Sequence, residues 1–252
     1  MIKNPETTRN HDRLTAFLKM FKLRAERWPI EGNVEAASLF VLGDASGEAF
    51  HVVFRSRGGA PSIQTKMLAS ASIDFGSDSN PLNGALPEEL LIPLEDSPPL
   101  KALAMLLVAE HDITRCGGST VRDRLCEVIV ILAIRRAIAI GTVNAGLLAG
   151  LAHAQLSPSL IAMHDEPARD WRIESLAEIA GMSRSHFSAL FLQVVGKPPS
   201  TYLTQWRLAL GRYRLRSGKS VKVVAAEVGF GSQAAFSRAF SREYGYAPSA
   251  VK

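Results

Sequence analysis

The chain contains one short pattern twice, as Leu176-Ala177-Glu178-Ile179-Ala180-Gly181-Met182-Ser183 and as Val224-Ala225-Ala226-Glu227-Val228-Gly229-Phe230. Two phenylalanines, a glycine and a proline follow each copy: Phe187, Phe191, Gly196 and Pro199 in the first, and Phe236, Phe240, Gly245 and Pro248 in the second. Residues up to the turn glycine are offset by 48 and the later ones by 49, so one residue is added after Gly229. Such a repeat indicates two copies of one structural unit.

Each copy predicts two helices joined by a short turn. The first helix ends at Gly181 or Gly229, the residue type that adopts a left-handed conformation most easily. Two helices joined in this way form a helix-turn-helix, and its second helix is the one that enters the major groove of DNA.

Helical phase predicts which side chains of each second helix face DNA. With about 100° per residue from Phe187, Leu190 and Phe191 are buried, and the same rule from Phe236 buries Ala239 and Phe240. The outward residues are then Ser185, Ser188, Ala189 and Leu192 in the first copy, and Ala234, Ser237, Arg238 and Ser241 in the second, with Arg184 and Gln233 at equivalent places near the helix starts. Because Arg can bind guanine and Gln adenine, we expect the second copy to read bases and the first to position phosphates.

A helix is also predicted between the copies, from Pro198-Pro199-Ser200 to Ser217-Gly218. Basic residues cluster on it and after it, and at least two are expected to contact phosphates. They are Arg207, Arg212, Arg214, Arg216, Lys219 and Lys222. Lys222 and Arg242 join the outward residues in the predicted DNA-binding set, which is Arg184, Ser185, Ser188, Ala189, Gln233, Ala234, Ser237, Arg238, Arg242 and Lys222.

Charge separates this region from the rest of the chain. From Trp171 onward, 12 Lys or Arg face 4 Asp or Glu, a net charge of +8, whereas the residues before it have 17 against 20, a net charge of −3. A basic segment beside an acidic one indicates that the first meets a polyanion and the second has another task.

The N-terminal half begins with a predicted amphipathic helix that carries Leu14 to Leu23 and ends at Trp28-Pro29. Short apolar runs then predict strands, bounded by glycine-rich turns. These runs lie at 38–42, 49–54, 64–68 and 90–92. The stretch 100–110 fits a helix or a strand.

A firmer helix is predicted after Ser119 or Thr120, either of which can cap it. Its apolar face, from Val121 to Leu132, is equally compatible with dimerisation and with burial in its own domain. The uncharged stretch 137–154 contains glycines, Asn144 and His153, so a buried helix and a connection are expected there and a membrane span is not. Ser157-Pro158 predicts a cap and the start of a further helix.

The repeat carries a specific set of motif residues. They are Leu176-Ala177, Gly181-Met182-Ser183, Phe187, Phe191, Gly196-Lys197-Pro198-Pro199, Tyr202-Leu203, Trp206-Arg207-Leu208, Val228-Gly229-Phe230, Ser232, 235–240, Tyr244-Gly245 and Pro248. This pattern resembles the DNA-binding domain of AraC/XylS-type transcription regulators and covers about the last 85 residues. The resemblance implies seven helices, two helix-turn-helix motifs and sequence-specific promoter binding. Arg172 stands where that family usually has a capping Ser or Thr.

Other segments resemble the subgroup of this family whose N-terminal half is a cupin-like sensor barrel. They are 157–167 with Trp171, Phe50-His51-Val52-Val53 and Arg115-Cys116-Gly117-Gly118-Ser119. The expected fold is therefore α+β, with a cupin-like domain with flanking helices over residues 1–155 and an all-α domain with two helix-turn-helix motifs over 156–252. The sensor domain is expected to form homodimers and to respond to a small-molecule effector that the sequence does not identify.

These observations predict a cytoplasmic transcription regulator that binds double-stranded promoter DNA, with RNA polymerase as a candidate partner and with no cofactor, metal or membrane contact. Cys116 is a candidate for redox sensing, because Arg115 and His111 could favour its thiolate; the alternative is an ordinary cysteine. A cupin-type metal-dependent enzyme fused to a DNA-binding domain is the rival hypothesis. His51, His111 and Glu110 are too scattered in sequence to favour it.

Overall fold

The computed structural model describes residues 24–27, 37–74, 86–111, 116–140 and 146–251. The chain divides into two compact units. One holds Phe21–Ala152, and the other holds His153–Gln193 and Lys197–Lys252.

The N-terminal unit contains a five-stranded antiparallel sheet. Its strands are β1 (Arg24–Arg27), β2 (Ala37–Gly43), β3 (Ala49–Arg55), β4 (Lys66–Asp74) and β5 (Glu89–Pro93), in the spatial order β1-β4-β2-β3-β5. β2 lies at the centre and is buried along its whole length, so side chains on both of its faces are covered. The predicted strands at 38–42, 49–54, 64–68 and 90–92 are confirmed, the third of them beginning at Lys66.

Three helices follow the sheet: α1 (Pro98–His111), α2 (Gly118–Ile140) and α3 (Leu147–Ala152). The stretch 100–110, which fitted either state, is helical. Ser119 or Thr120 was expected to cap α2, but α2 begins at Gly118 and both lie within its first turn. α2 buries Leu125 and Ile129 against the rest of its unit, while Val121 and Val128 are 42% and 43% exposed. Among the described helices, none is both long enough and apolar enough to cross a membrane.

The predicted N-terminal helix is wrong over residues 24–27. This segment is the edge strand β1, which pairs with β4 so that Arg24 lies opposite Asp74 and Arg27 opposite Ala71. Local helical spacing is a weak preference, and pairing with a distant strand overrides it here. The remainder of that prediction lies outside the described residues.

The C-terminal unit contains six described α-helices and one 3₁₀ turn. They are α4 (Ser157–Asp165), α5 (Ile173–Ile179), α6 (Arg184–Val195), α7 (Pro199–Arg216), α8 (Val221–Glu227), α9 (Gln233–Tyr244) and the turn Pro248–Ala250. Leu156, not Ser157, is the N-cap of α4, and the Ser157 hydroxyl bonds Ala154 O instead. α7 has 18 residues and so spans roughly 27 Å.

Matched phenylalanine pairs form the cores of the two copies. Phe187 and Phe191 in α6, and Phe236 and Phe240 in α9, are all fully buried, and both pairs have ring centroids 5.5 Å apart. In the second copy Gly211 of α7 gives the Phe236 ring room, because a Cβ there would lie 2.7 Å from it. The two copies therefore bury their phenylalanine pairs in the same arrangement.

Candidate nucleic-acid interface

The two turns use the same backbone geometry. Gly181 and Gly229 have φ of +66° and +84°. In the first turn, the amides of Gly181 and Met182 donate to Glu178 O and Ala177 O, both at 2.9 Å; in the second, Gly229 and Phe230 donate to Ala226 O and Ala225 O at 3.1 and 2.9 Å. This pair of bonds satisfies the last carbonyls of the first helix and requires a left-handed residue. Each glycine therefore sets the angle at which the second helix leaves the turn.

Serine caps begin both second helices. The Ser183 hydroxyl accepts a hydrogen bond from His186 N at 3.3 Å, and the Ser232 hydroxyl accepts one from Ala235 N at 3.1 Å. The first helices differ, since Ser220 caps α8 but Arg172, at the N-cap of α5, makes no side-chain cap. α5 thus lacks a capping bond that typically contributes about 1 kcal/mol.

The second recognition helix, α9, presents polar and basic side chains to solvent. Gln233, Ala234, Arg238 and Arg242 are exposed, and Ser237 is half-buried on the same helix. Within the described part of the chain, the side chains of Gln233, Arg238 and Arg242 make no hydrogen bond or ion pair. Their donors are therefore available to a ligand.

The first recognition helix, α6, differs at the equivalent places. Arg184 is exposed but donates to Glu174 at 2.9 Å, and this hydrogen bond lowers the pKa of the Glu174 carboxyl. The Ser188 hydroxyl donates to Arg184 O at 2.9 Å. Ser185 and Ala189 are exposed as predicted, whereas Leu190 is only half-buried, as is Ala239 in the second copy. Arg184 therefore has a partner on the preceding helix, and helical phase alone does not predict that partner.

Most of the predicted phosphate-binding residues around α7 have protein partners. Arg207 donates to Pro167 O at 2.7 Å and to Arg169 O at 2.8 Å. Arg214 and Lys219 both form ion pairs with Glu227 at 2.7 Å. The hydrogen bond from Lys219 is the largest cause of the lowered pKa of the Glu227 carboxyl. The Arg212 guanidinium lies over the Tyr244 and Tyr246 rings, 5.0 and 5.7 Å from their centroids. Arg216 and Lys222 remain exposed.

The loop over residues 166–171, which precedes the first copy, packs against α7 and against the turn of the second copy. Besides the two bonds from Arg207, Trp171 Nε1 donates to Glu166 O at 2.9 Å, and the Arg169 guanidinium lies 4.2 Å from the Trp171 ring centroid. Gly229 packs so tightly on this loop that a Cβ would lie 2.7 Å from Ala168 Cα. The loop before the first copy thus touches the turn of the second.

A buried aromatic cluster joins α4 to α7. His164 Nε2 lies 2.6 Å from the Tyr202 hydroxyl, and its ring stacks on Trp206 with centroids 4.0 Å apart. Burial lowers the pKa of His164 to about 3 and raises that of Tyr202. Sequence reasoning missed this pair, because its members are 38 residues apart and no local pattern connects them.

The remaining predicted residues lie in the N-terminal unit. Cys116 is exposed just before α2, whereas Cys126 is buried within α2, and burial raises its pKa to about 12. Arg115, which was expected to favour the Cys116 thiolate, lies outside the described residues. No group of three His, Cys, Asp or Glu side chains among the residues that the structure describes is arranged to hold a metal ion.

Two family models match different parts of the chain. A helix-turn-helix domain matches residues 176–252, and a cupin matches residues 31–139. An uncharacterized HTH-type transcriptional regulator of Haemophilus influenzae is 37% identical over 169 residues, covering 67% of this chain and 56% of its own length. A putative AraC-like transcription regulator of Streptomyces lividans is 42% identical over 104 residues, covering 41% of this chain and 34% of its own.

Among solved structures, the DNA-binding domain of AdpA in complex with a target DNA is 31% identical and has a TM-score of 0.37; the match covers 39% of this chain and 89% of that domain. The chain spans about half the length, or less, of the curated relatives above. The two models together account for both units, the sheet and the doubled helix-turn-helix. The domain over residues 176–252 therefore belongs to the AraC-type helix-turn-helix family, and the domain over residues 31–139 belongs to the cupins.

Proposed function

We propose that the protein is a cytoplasmic, sequence-specific regulator of transcription that binds promoter DNA through its C-terminal unit. The observation that carries the proposal is the pair of matched turns that present α6 and α9, combined with a net charge of +8 from Trp171 onward. A recognition helix needs a fixed exit angle and an outward face with available donors, and α9 has both. The relatives are named as transcriptional regulators, which supports the same conclusion.

Within this function, α9 is the main reader of bases. Gln233 and Arg238 project from its solvent side, and these residue types bind adenine and guanine edges in the major groove. Lys222, one residue into α8, and Arg242, in the last turn of α9, are suited to phosphates. Ser185, Ser188 and Ala189 belong to the α6 side of the interface.

The direct test is an electrophoretic mobility shift with the purified full chain and duplexes from upstream of its own and neighbouring genes. Arg238→Ala should weaken the specific complex by about 1–3 kcal/mol and leave binding to random duplex nearly unchanged. Lys222→Ala should weaken both complexes alike and reduce the slope of affinity against salt concentration. The two variants are matched controls, since each removes one exposed basic side chain that has no partner in the described part of the chain.

Two results would contradict the proposal. Absence of a shift at low salt with every upstream duplex would exclude specific DNA binding. Equal losses from Arg238→Ala and Lys222→Ala on specific and random DNA would exclude the assigned division between base and phosphate contacts.

We place the N-terminal domain at residues 1–155 and the DNA-binding domain at residues 156–252. The N-terminal domain serves as the sensor and dimerisation module. The exposed Val121 and Val128 of α2 support an apolar surface for a second copy. In the same proposal, the N-terminal domain binds a small-molecule effector and the protein contacts RNA polymerase. Sedimentation of the wild type against Val128→Asp tests the dimer, which the aspartate should disrupt.

Redox control at Cys116 is a further proposal for the signal. It is supported by the exposure of this thiol, in contrast to the buried Cys126. Oxidant should change DNA affinity in the wild type and leave Cys116→Ser unaffected. An equal response in both proteins would exclude it.

A cupin-type metal enzyme fused to the DNA-binding domain is not favoured. His51 is half-buried on β3, opposite Leu42 and Pro93. It belongs to no group of three metal-ligating side chains among the described residues. The relatives are also named as regulators.

A further inference from the structure

The outward face of α6 is apolar at two positions where that of α9 is polar. Stepping about 100° per residue from the first buried phenylalanine pairs Ala189 with Arg238 and Leu192 with Ser241. Ala189 is exposed and Leu192 is 49% exposed. Leu192 also lines an apolar cleft of about 380 Å³ together with Trp171 and Pro198. A large aliphatic side chain therefore faces solvent on a recognition helix.

Three polar groups near the centre of this face already have partners within the protein. Arg184, the one arginine of α6, is held by Glu174 at 2.9 Å, and the Ser188 hydroxyl donates to a main-chain carbonyl at 2.9 Å. The Ser185 hydroxyl lies 3.4 Å from that of Ser183. Bidentate hydrogen bonding to guanine or adenine, which the second copy can make, has no equivalent at the centre of the first.

We infer that α6 recognises thymine-containing base pairs through their C5-methyl groups, with Ala189 and Leu192 as the specificity-determining residues. The thymine methyl is the apolar group that a base pair presents in the major groove, and small or aliphatic side chains contact it favourably. The inference rests on the proposed function and specifies what the first motif reads. In this inference α6 reads its DNA segment by contact with thymine methyl groups, and α9 reads the other segment by hydrogen bonds.

The test uses sites selected by the full chain from a random duplex library. In the selected duplex each thymine is replaced singly by deoxyuridine, which removes the methyl and keeps the base pairing. The segment read by α9 is identified as the one where Arg238→Ala loses specificity. In the other segment, one or two uridine substitutions should weaken binding roughly fourfold each, the value of one buried methyl group.

Two variants assign this effect to the named side chains. Leu192→Ser and Ala189→Ser retain the helix, and each should make one of these positions insensitive to uridine. Ala189→Arg copies Arg238 into the first motif and should create a guanine preference at its base pair. In the α9 segment, uridine should change affinity less than twofold.

The outcomes separate this inference from the function beneath it. Failure of the library to yield any enriched sequence overturns the proposed function itself. Enrichment with no uridine effect in the α6 segment overturns the methyl readout while leaving DNA binding intact. Loss of a guanine preference in Arg184→Ala would also overturn it, because Arg184 would then leave Glu174 to read a base.

Discussion

Acidification is expected to destabilise the C-terminal unit through the buried His164. Burial lowers the pKa of this imidazole from 6.5 to about 3, so it is neutral in the folded protein at physiological pH. In the unfolded chain the same imidazole titrates near 6.5. Between these two pH values the unfolded state binds more protons, and the free energy of unfolding therefore falls as the pH drops below about 6.5.

The size of this loss follows from the two pKa values. At pH 5.5, one unit below the unfolded value, about ten of every eleven unfolded imidazoles are protonated. This stabilises the unfolded state by RT ln 11, or about 1.4 kcal/mol, provided that the folded pKa lies well below 5.5. Such a loss is a measurable fraction of the 5–15 kcal/mol typical of a folded domain.

Urea unfolding at pH 8 and pH 5.5 measures it, with tryptophan fluorescence as the signal. A Trp28→Phe background limits the signal to Trp171 and Trp206, which both lie in the C-terminal unit. His164→Gln should lose about 1.4 kcal/mol less than the wild type between the two pH values, whatever its cost at pH 8. His186→Gln, which removes an exposed imidazole of the same unit, should keep the wild-type difference. Equal differences in the wild type and His164→Gln would refute the reasoning.

The turns, the 166–171 loop and the thiols give three further predictions. Gly181→Ala should cost about 1–2 kcal/mol of unfolding free energy, the strain of a left-handed alanine, and Gly229→Ala clearly more, because its Cβ would also meet the 166–171 loop; equal urea midpoints would contradict this. Arg207→Lys should lower stability by about 1.5–3 kcal/mol, since lysine lacks the planar fork that places Nε on one carbonyl and Nη2 on the other, while the slope of DNA affinity against salt stays unchanged. A thiol reagent should modify Cys116 quickly and Cys126 only upon unfolding; fast modification of the remaining thiol in Cys116→Ser would contradict the buried position of Cys126.

The sequence predicts well the features that local chemistry determines. A glycine before each second helix requires the left-handed turn, and phenylalanines spaced by four residues bury one side of it. All of these interactions lie within about ten residues of chain. The repeat therefore predicts the helix-turn-helix pair and most of its outward residues.

Interactions between distant residues account for what was not predicted. Strand β1 forms because Arg24–Arg27 pairs with β4, about 47 residues later. Arg184 is a predicted DNA-binding residue, and Glu174, on the preceding helix, accepts a hydrogen bond from it. Arg207 was one of six candidates for phosphate contact, and it donates to two carbonyls 38 and 40 residues away. Charge and phase describe one element at a time, so they cannot identify such partners.

The division of labour between the motifs follows from where the repeat is constrained. Its phenylalanine pairs and turn glycines are fixed by packing and backbone conformation, so a change costs about 3–5 kcal/mol at a buried phenylalanine and at least about 1–2 kcal/mol at a turn glycine. The outward positions, such as Ala189 and Arg238, are exposed, and substitutions at such positions usually change stability by no more than about 0.5 kcal/mol. Base readout in one copy can therefore change without altering the fold that presents it. For the same reason Ala189→Arg should fold like the wild type, and any change in its DNA preference reports recognition alone.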